Sequence, residues 1–110
     1  MNDKIANWIL NDRLPRDLSE AERKAYGVFT YRNYSKPIDD RGAVVLLPVL
    51  VEKGYDYELR NEDKMTEVVI WSDVEGNPLS HAIKATISRA ITESILMLIE
   101  REKQCNYTDE

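Results

Sequence analysis

The chain has little of what most enzyme chemistry needs: one histidine, one cysteine and four glycines among 110 residues. The lone Cys105 can close no internal disulfide, which fits a reducing compartment. His81 and Cys105 together supply two soft ligands, short of the four a closed zinc site takes. The glycines form neither G-x-x-x-x-G-K-S/T nor G-x-G-x-x-G, so the familiar phosphate cradles are missing and no cofactor is implied. The longest apolar run, Ala43 to Val51, is broken by Pro48 and is too short to span a bilayer. The opening MNDKIANWIL lacks a basic leader and a small-residue cleavage site, so the expectation is a cytoplasmic protein.

What is present describes one globular domain over 1–110, at 43% hydrophobic and 32% charged residues. The net charge of −5 argues against nonspecific binding to nucleic acid or to an anionic membrane, since either would repel the molecule. DNA mimicry by carboxylates is disfavoured because 15 basic residues are interspersed with the 20 acidic ones.

The periodicity predicts an α+β fold, a three- to four-stranded antiparallel sheet sandwiched between helices. Ile5, Trp8 and Ile9 mark a helix over Asn2 to Asn11, closed by Pro15. Ser19 and Glu22 form a capping-box signature for a helix of about two turns stopped by Gly27, after which Val28 to Tyr34 reads as extended. Asp39 or Asp40 caps a helix running to about Lys53, with Val44, Val45, Leu47, Leu50 and Val51 as its buried stripe. Pro48 either kinks that helix at Leu47, the favoured reading, or sits in the first turn of a later start. Tyr55 to Arg60 alternates as a half-buried strand. Met65 to Ser72 is apolar on both faces and so reads as a central strand covered on both sides. Asp73 to Pro78 is a turn, and Leu79 to Lys84 completes a meander. Thr86 caps the strongest helix, which runs to about Lys103 with a stripe of Ile87, Ala90, Ile91, Ser94, Ile95 and Leu98 widened by Met97; 104–110 is expected as a flexible tail.

Four local matches resemble the phage ABA-sandwich domain family of small phage and prophage proteins. They are Tyr34-Ser35, Val51-Glu52-Lys53-Gly54-Tyr55, Val69-Ile70-Trp71, and Ala85-Thr86 with Ser88-Arg89-Ala90-Ile91. The resemblance runs from Tyr34 to Glu100, and the chain departs from it by an insertion around Arg13 to Phe29 and by Pro48. It implies a sheet between two helical layers and a phage or prophage origin, hence a bacterial host cell. It implies no activity, because fold does not determine function.

His81 sits on a strand beside Ser80, and strand neighbours point to opposite faces, so the two cannot form a nucleophile–base pair. Asp39-Asp40, or Asp56 and Glu58 with Glu67 and Lys64, could serve a metal-dependent nucleic-acid enzyme. Helix capping and a solvated strand face account for the same residues more simply. The absence of a catalytic constellation favours a non-enzyme with no metal.

The segment from Arg13 to Arg41 stands apart. It holds five of the eight arginines together with Tyr26, Phe29, Tyr31 and Tyr34, and seven basic against five acidic residues. Arginine forks bind phosphate and tyrosine rings stack on bases, so Arg23, Tyr26, Arg32 and Tyr34 are the candidate contacts to a small anionic nucleotide, with 13–34 the functional segment. By analogy with phage anti-defence sponges, the first expectation is a homo-oligomeric counter-defence binder that sequesters a nucleotide immune signal. The alternative is a protein-directed inhibitor of a host defence enzyme using the same Tyr/Arg surface or the acidic helical faces. A purely structural account of the same residues has the aromatics plugging the core and the arginines facing solvent.

Overall fold

A computed structural model describes residues 2–30, 38–72 and 78–108, with side chains as far as residue 103. The element order is α1 (Asn2–Leu10), a 3-10 turn (Pro15–Asp17), α2 (Glu20–Phe29), α3 (Asp40–Val44), α4 (Leu46–Glu52), β1 (Tyr55–Glu62), β2 (Met65–Ser72), β3 (Pro78–Lys84) and α5 (Ile87–Thr108). The three strands form one antiparallel sheet in the order β1-β2-β3, so the chain is an α+β protein. No helix among the described residues is long and apolar enough to cross a membrane.

The period-three-to-four apolar spacing of α1 buries Ile5, Trp8 and Ile9, as the sequence requires. Pro15 does not end it. Asn11 and Asp12 do, both in the left-handed region with φ of 50° and 63°, a conformation that Asn and Asp tolerate better than other residues. The capping box at the start of α2 forms in full: the Glu22 N–H donates to Ser19 Oγ at 3.2 Å, and the Ser19 N–H donates to Glu22 Oε1 at 3.0 Å. Gly27 does not stop this helix. It lies in its interior, and the helix continues to a fully buried Phe29. The extended reading of Val28 and Phe29 is therefore corrected: burial of the Phe29 ring, of order 2–3 kcal/mol, outweighs the roughly 1 kcal/mol cost of a helical glycine. Tyr31 and Tyr34 lie outside the described residues.

Asp39 caps α3 by accepting from the Gly42 N–H at 2.8 Å. The expected long helix is two short ones, broken at Val45 rather than kinked at Leu47. Pro48 is the third residue of α4, a place where it has no helical donor to lose. The carbonyl it would clash with, that of Val44, is the last of α3. The break resets the helical phase, so the buried residues are Ala43, Leu46, Val49 and Leu50. Val44 and Val51, expected in the core, are exposed. Gly54, at φ +89°, makes the left-handed stop that leads into β1.

Strands β1 and β2 join through Asp63 and Lys64, both at positive φ, the signature of a two-residue type I′ hairpin turn. The ladder places Tyr57 opposite Ile70 and Leu59 opposite Val68, and on the other side Ile70 opposite Ser80 and Val68 opposite Ala82. These residues make the inner face. Helix α5 covers it over β2 and β3, with α4 against β1 and α1 packed on α2 and α5. Helix α5 begins at Thr86, whose Oγ1 accepts from the Arg89 N–H at 3.1 Å, and its backbone stays helical to Thr108, past the expected end near Lys103. Ala90, Ile91, Ser94, Ile95, Leu98 and Ile99 are buried on it, whereas Met97, expected to widen the stripe, is 48% exposed.

The second helical layer expected on the other face of the sheet is not formed by the described residues. Every residue there is exposed or half-buried: Asp56, Glu58 and Arg60 on β1, Glu67, Val69 and Trp71 on β2, Pro78, His81 and Ile83 on β3.

Candidate interaction surfaces

Of the four predicted ligand contacts, two fall among the described residues. Arg23 and Tyr26 lie one turn apart on α2. Arg23 is exposed with no carboxylate within ion-pair distance among the described residues, and Tyr26 is half-buried against the core. Arg32 and Tyr34 fall outside the described residues. The groove between α2 and α4, about 520 Å³, is lined by Glu20, Ala21, Lys24, Val44, Pro48 and Glu52, on the flank of α2 away from Arg23 and Tyr26.

Arg13 leaves the positive island for a structural post. Its guanidinium pairs with the Glu22 carboxylate, donating to Oε1 at 3.1 Å and more closely to Oε2, while other N–H groups donate to the carbonyls of Leu10 at 3.1 Å and Ile9 at 3.0 Å. The Arg13 hydrogen bonds hold the buried Glu22 carboxyl down at about 2, against a burial effect that would raise it. Nearby, Glu102 accepts from the Tyr55 hydroxyl and, at a long 3.5 Å, from Trp8 Nε1. The Lys53 ammonium stands 4.9 Å over the Trp8 ring. Burial pushes the Lys53 pKa down, and the charges of Glu22 and Glu102 oppose that shift. This polar seam ties α1 and α2 to the start of β1 and the end of α5.

The carboxylates considered for metal chemistry are engaged locally. Asp39 caps α3, and Asp40 Oδ1 accepts from the Ser88 N–H at 2.9 Å, fastening α3 to α5. Glu58 pairs with Arg60 at 2.7 Å and Glu67 with His81 at 2.6 Å. No group of three or more His, Cys, Asp or Glu that could hold a metal ion occurs among the described residues. Ser80 and His81 do point to opposite faces. The Ser80 hydroxyl is buried on the inner face without a hydrogen-bond partner among the described residues, and His81 is exposed on the outer face.

A second built surface is the outer face of the sheet. The register orders it in three rows: Arg60–Glu67–Ile83, Glu58–Val69–His81 and Asp56–Trp71–Pro78. Val69 and Trp71 run down its centre, half-buried, and Ile83 is 50% exposed. The charges sit mainly at the margin, where Arg60–Glu58 and His81–Glu67 hold one another in place. An apolar centre with a pre-paired polar rim is the anatomy of a protein interface rather than of a catalytic cleft. Sequence reasoning listed these residues but read the face as covered, because alternation cannot say whether a half-apolar face meets a helix of its own chain or another molecule.

No protein-family model, curated protein or solved structure matches the chain.

Proposed function

We propose that the protein works by binding another protein through the outer face of its sheet, with no chemistry of its own. The observation that carries this reading is the central pair Val69 and Trp71, presented on a strand between two paired strands and left uncovered by the described residues. Tryptophan in such a setting is the commonest binding hot spot, and a sheet presents it at little entropic cost. In the phage or prophage setting that the ABA-sandwich resemblance implies, the partner is a host defence enzyme and the protein is its inhibitor in the bacterial cytoplasm. The test is purification from host cells. The protein is expected to carry one host protein in fixed ratio, and Trp71→Ala is expected to lose it while the far-ultraviolet spectrum stays unchanged. Retention of the partner by the variant contradicts the proposal.

A second reading, sequestration of a small nucleotide, is favoured by one observation: Arg23 is exposed and unpaired among the described residues, with Tyr26 one turn along the same helix. On this reading Arg32 and Tyr34 complete the site. Native mass spectrometry of the protein from immune-active cells, followed by denaturation, should then release a nucleotide-sized mass, and Arg23→Ala should abolish it. A protein without such a mass leaves the first reading alone.

A further inference from the structure

The two edges of the sheet are built differently. Edge strand β1 carries Asp56, Glu58, Arg60 and Glu62, the charges by which edge strands resist pairing. Edge strand β3 carries one formal charge, Lys84, at its very end, and no described segment outside the sheet hydrogen-bonds to its backbone. Between β3 and α5 runs a groove of about 420 Å³ lined by Leu79, Glu93, Leu96, Met97, Glu100 and Arg101. The register shift between Ile70 and Trp71 leaves Leu79 without a partner on β2 and turns it to this groove.

We infer that two copies of the chain associate here, α5 against α5 in antiparallel sense, about a twofold axis at Met97. Three features of α5 meet that symmetry independently. Met97 lies at the middle of Ile87–Thr108, so an antiparallel pair centred on it overlaps along the whole helix, roughly 33 Å at 1.5 Å per residue. Glu93, Met97 and Arg101 are spaced i, i+4 and i+8 and form one line along the helix. Their charges are opposite at the two ends, so the twofold sets each Glu93 against the partner copy's arginine and each Arg101 against the partner copy's glutamate, with methionine on methionine between them. Each copy has the groups free to do this. Arg101 is exposed with no ion pair among the described residues, and Glu93 has only the loose contacts of Arg89 at 3.6 Å and Lys84 at 3.8 Å.

A closed twofold contact of this kind is self-complementary, as the commonest oligomers are. Packing Leu79, Leu96 and Met97 of both copies removes the apolar lining from water. The chain's net charge of −5 opposes association at long range, so the local Glu–Arg pairs set the orientation more than the strength.

The test is sedimentation equilibrium on the full chain over a concentration series, with four variants. The wild type is expected to show a monomer–dimer equilibrium, and Met97→Glu, which sets two carboxylates against each other across the axis, is expected to be monomeric throughout. Glu93→Arg and Arg101→Glu are each expected to weaken the dimer about tenfold or more, and the double exchange to restore the wild-type constant within a few-fold. Met97 and Arg101 are exposed and Glu93 is half-buried at the surface, so circular dichroism is expected to be unchanged in all four. Monomer at every concentration, or a dimer indifferent to Met97→Glu and to the charge exchange, overturns the inference; the first of these leaves the groove to an extended peptide pairing with β3. The contact lies away from Val69 and Trp71, so a failed dimer leaves the sheet-face proposal standing and a failed sheet face leaves the dimer standing.

Discussion

Arg13 closes on Glu22 across the α1–α2 turn, and the same guanidinium donates to the last carbonyls of α1. One side chain thus caps the last carbonyls of one helix and anchors the start of the next, whose capping box uses the same Glu22. The arginine that begins the positive island of the sequence is a structural cap.

Removing it is costly. Arg13→Ala leaves a buried carboxylate without its cation and the Ile9 carbonyl without the guanidinium donor, while the Leu10 carbonyl keeps the backbone N–H of residue 13. Discounted for the part of Arg13 that water already reaches, the expected loss is roughly 2–4 kcal/mol in urea unfolding. An effect within about 0.5 kcal/mol of zero, the range of ordinary surface substitutions, contradicts this role.

The same pair sets an acid limit. Glu22 is held at about 2 against an ordinary 4.5. Its folded pKa is depressed, so its contribution is complete above about pH 4.5 and drains away as pH falls toward 2. Between those values the wild type is expected to lose roughly 2 kcal/mol that Glu22→Gln, already lacking it, does not lose. Parallel stability–pH curves for the two proteins from pH 5 to 2.5 would show that the pair does not form.

Two glycines should respond oppositely to alanine. Gly27 is inside α2 with open space where a Cβ would go, so Gly27→Ala is expected to stabilise by about 0.5–1 kcal/mol. Gly54 sits at φ +89°, so Gly54→Ala is expected to destabilise by about 1 kcal/mol or more. Thermal unfolding of both variants checks this; a lower melting temperature for Gly27→Ala would restore the reading of Gly27 as a helix stop.

Ser80 carries a buried hydroxyl with no partner among the described residues. Ser80→Ala removes a desolvated polar group at almost constant shape and is expected to be neutral or to gain up to about 1 kcal/mol. A clear loss would reveal a partner for the hydroxyl.

Much of the fold was legible because local chemistry and tertiary packing agree in it. The Ser19–Glu22 box, the Asp39 and Thr86 caps, the alternation of β1 and β2 and the Gly54 stop each rest on an interaction a few residues long. What was not legible depends on distant groups. Gly27 reads as a stop until Phe29 is known to fill the core, and Val44 and Val51 read as core until the break at Val45 shifts the phase. Pattern alone does not show that Arg13 belongs to Glu22. The outer face of the sheet was legible in composition and not in context: period two separates Trp71 and Val69 from Ile70 and Val68, but the cover over each face is contributed by other elements.

The central claim, that this face is the working surface, is tested most directly by site-specific photocrosslinking in living cells. A crosslinker at position 69, at the centre of the face, is compared with one at position 23 on α2. A single discrete protein adduct from position 69 that disappears with Trp71→Ala, and none from position 23, is the result expected. An adduct from position 23 alone, or none from position 69, contradicts the account.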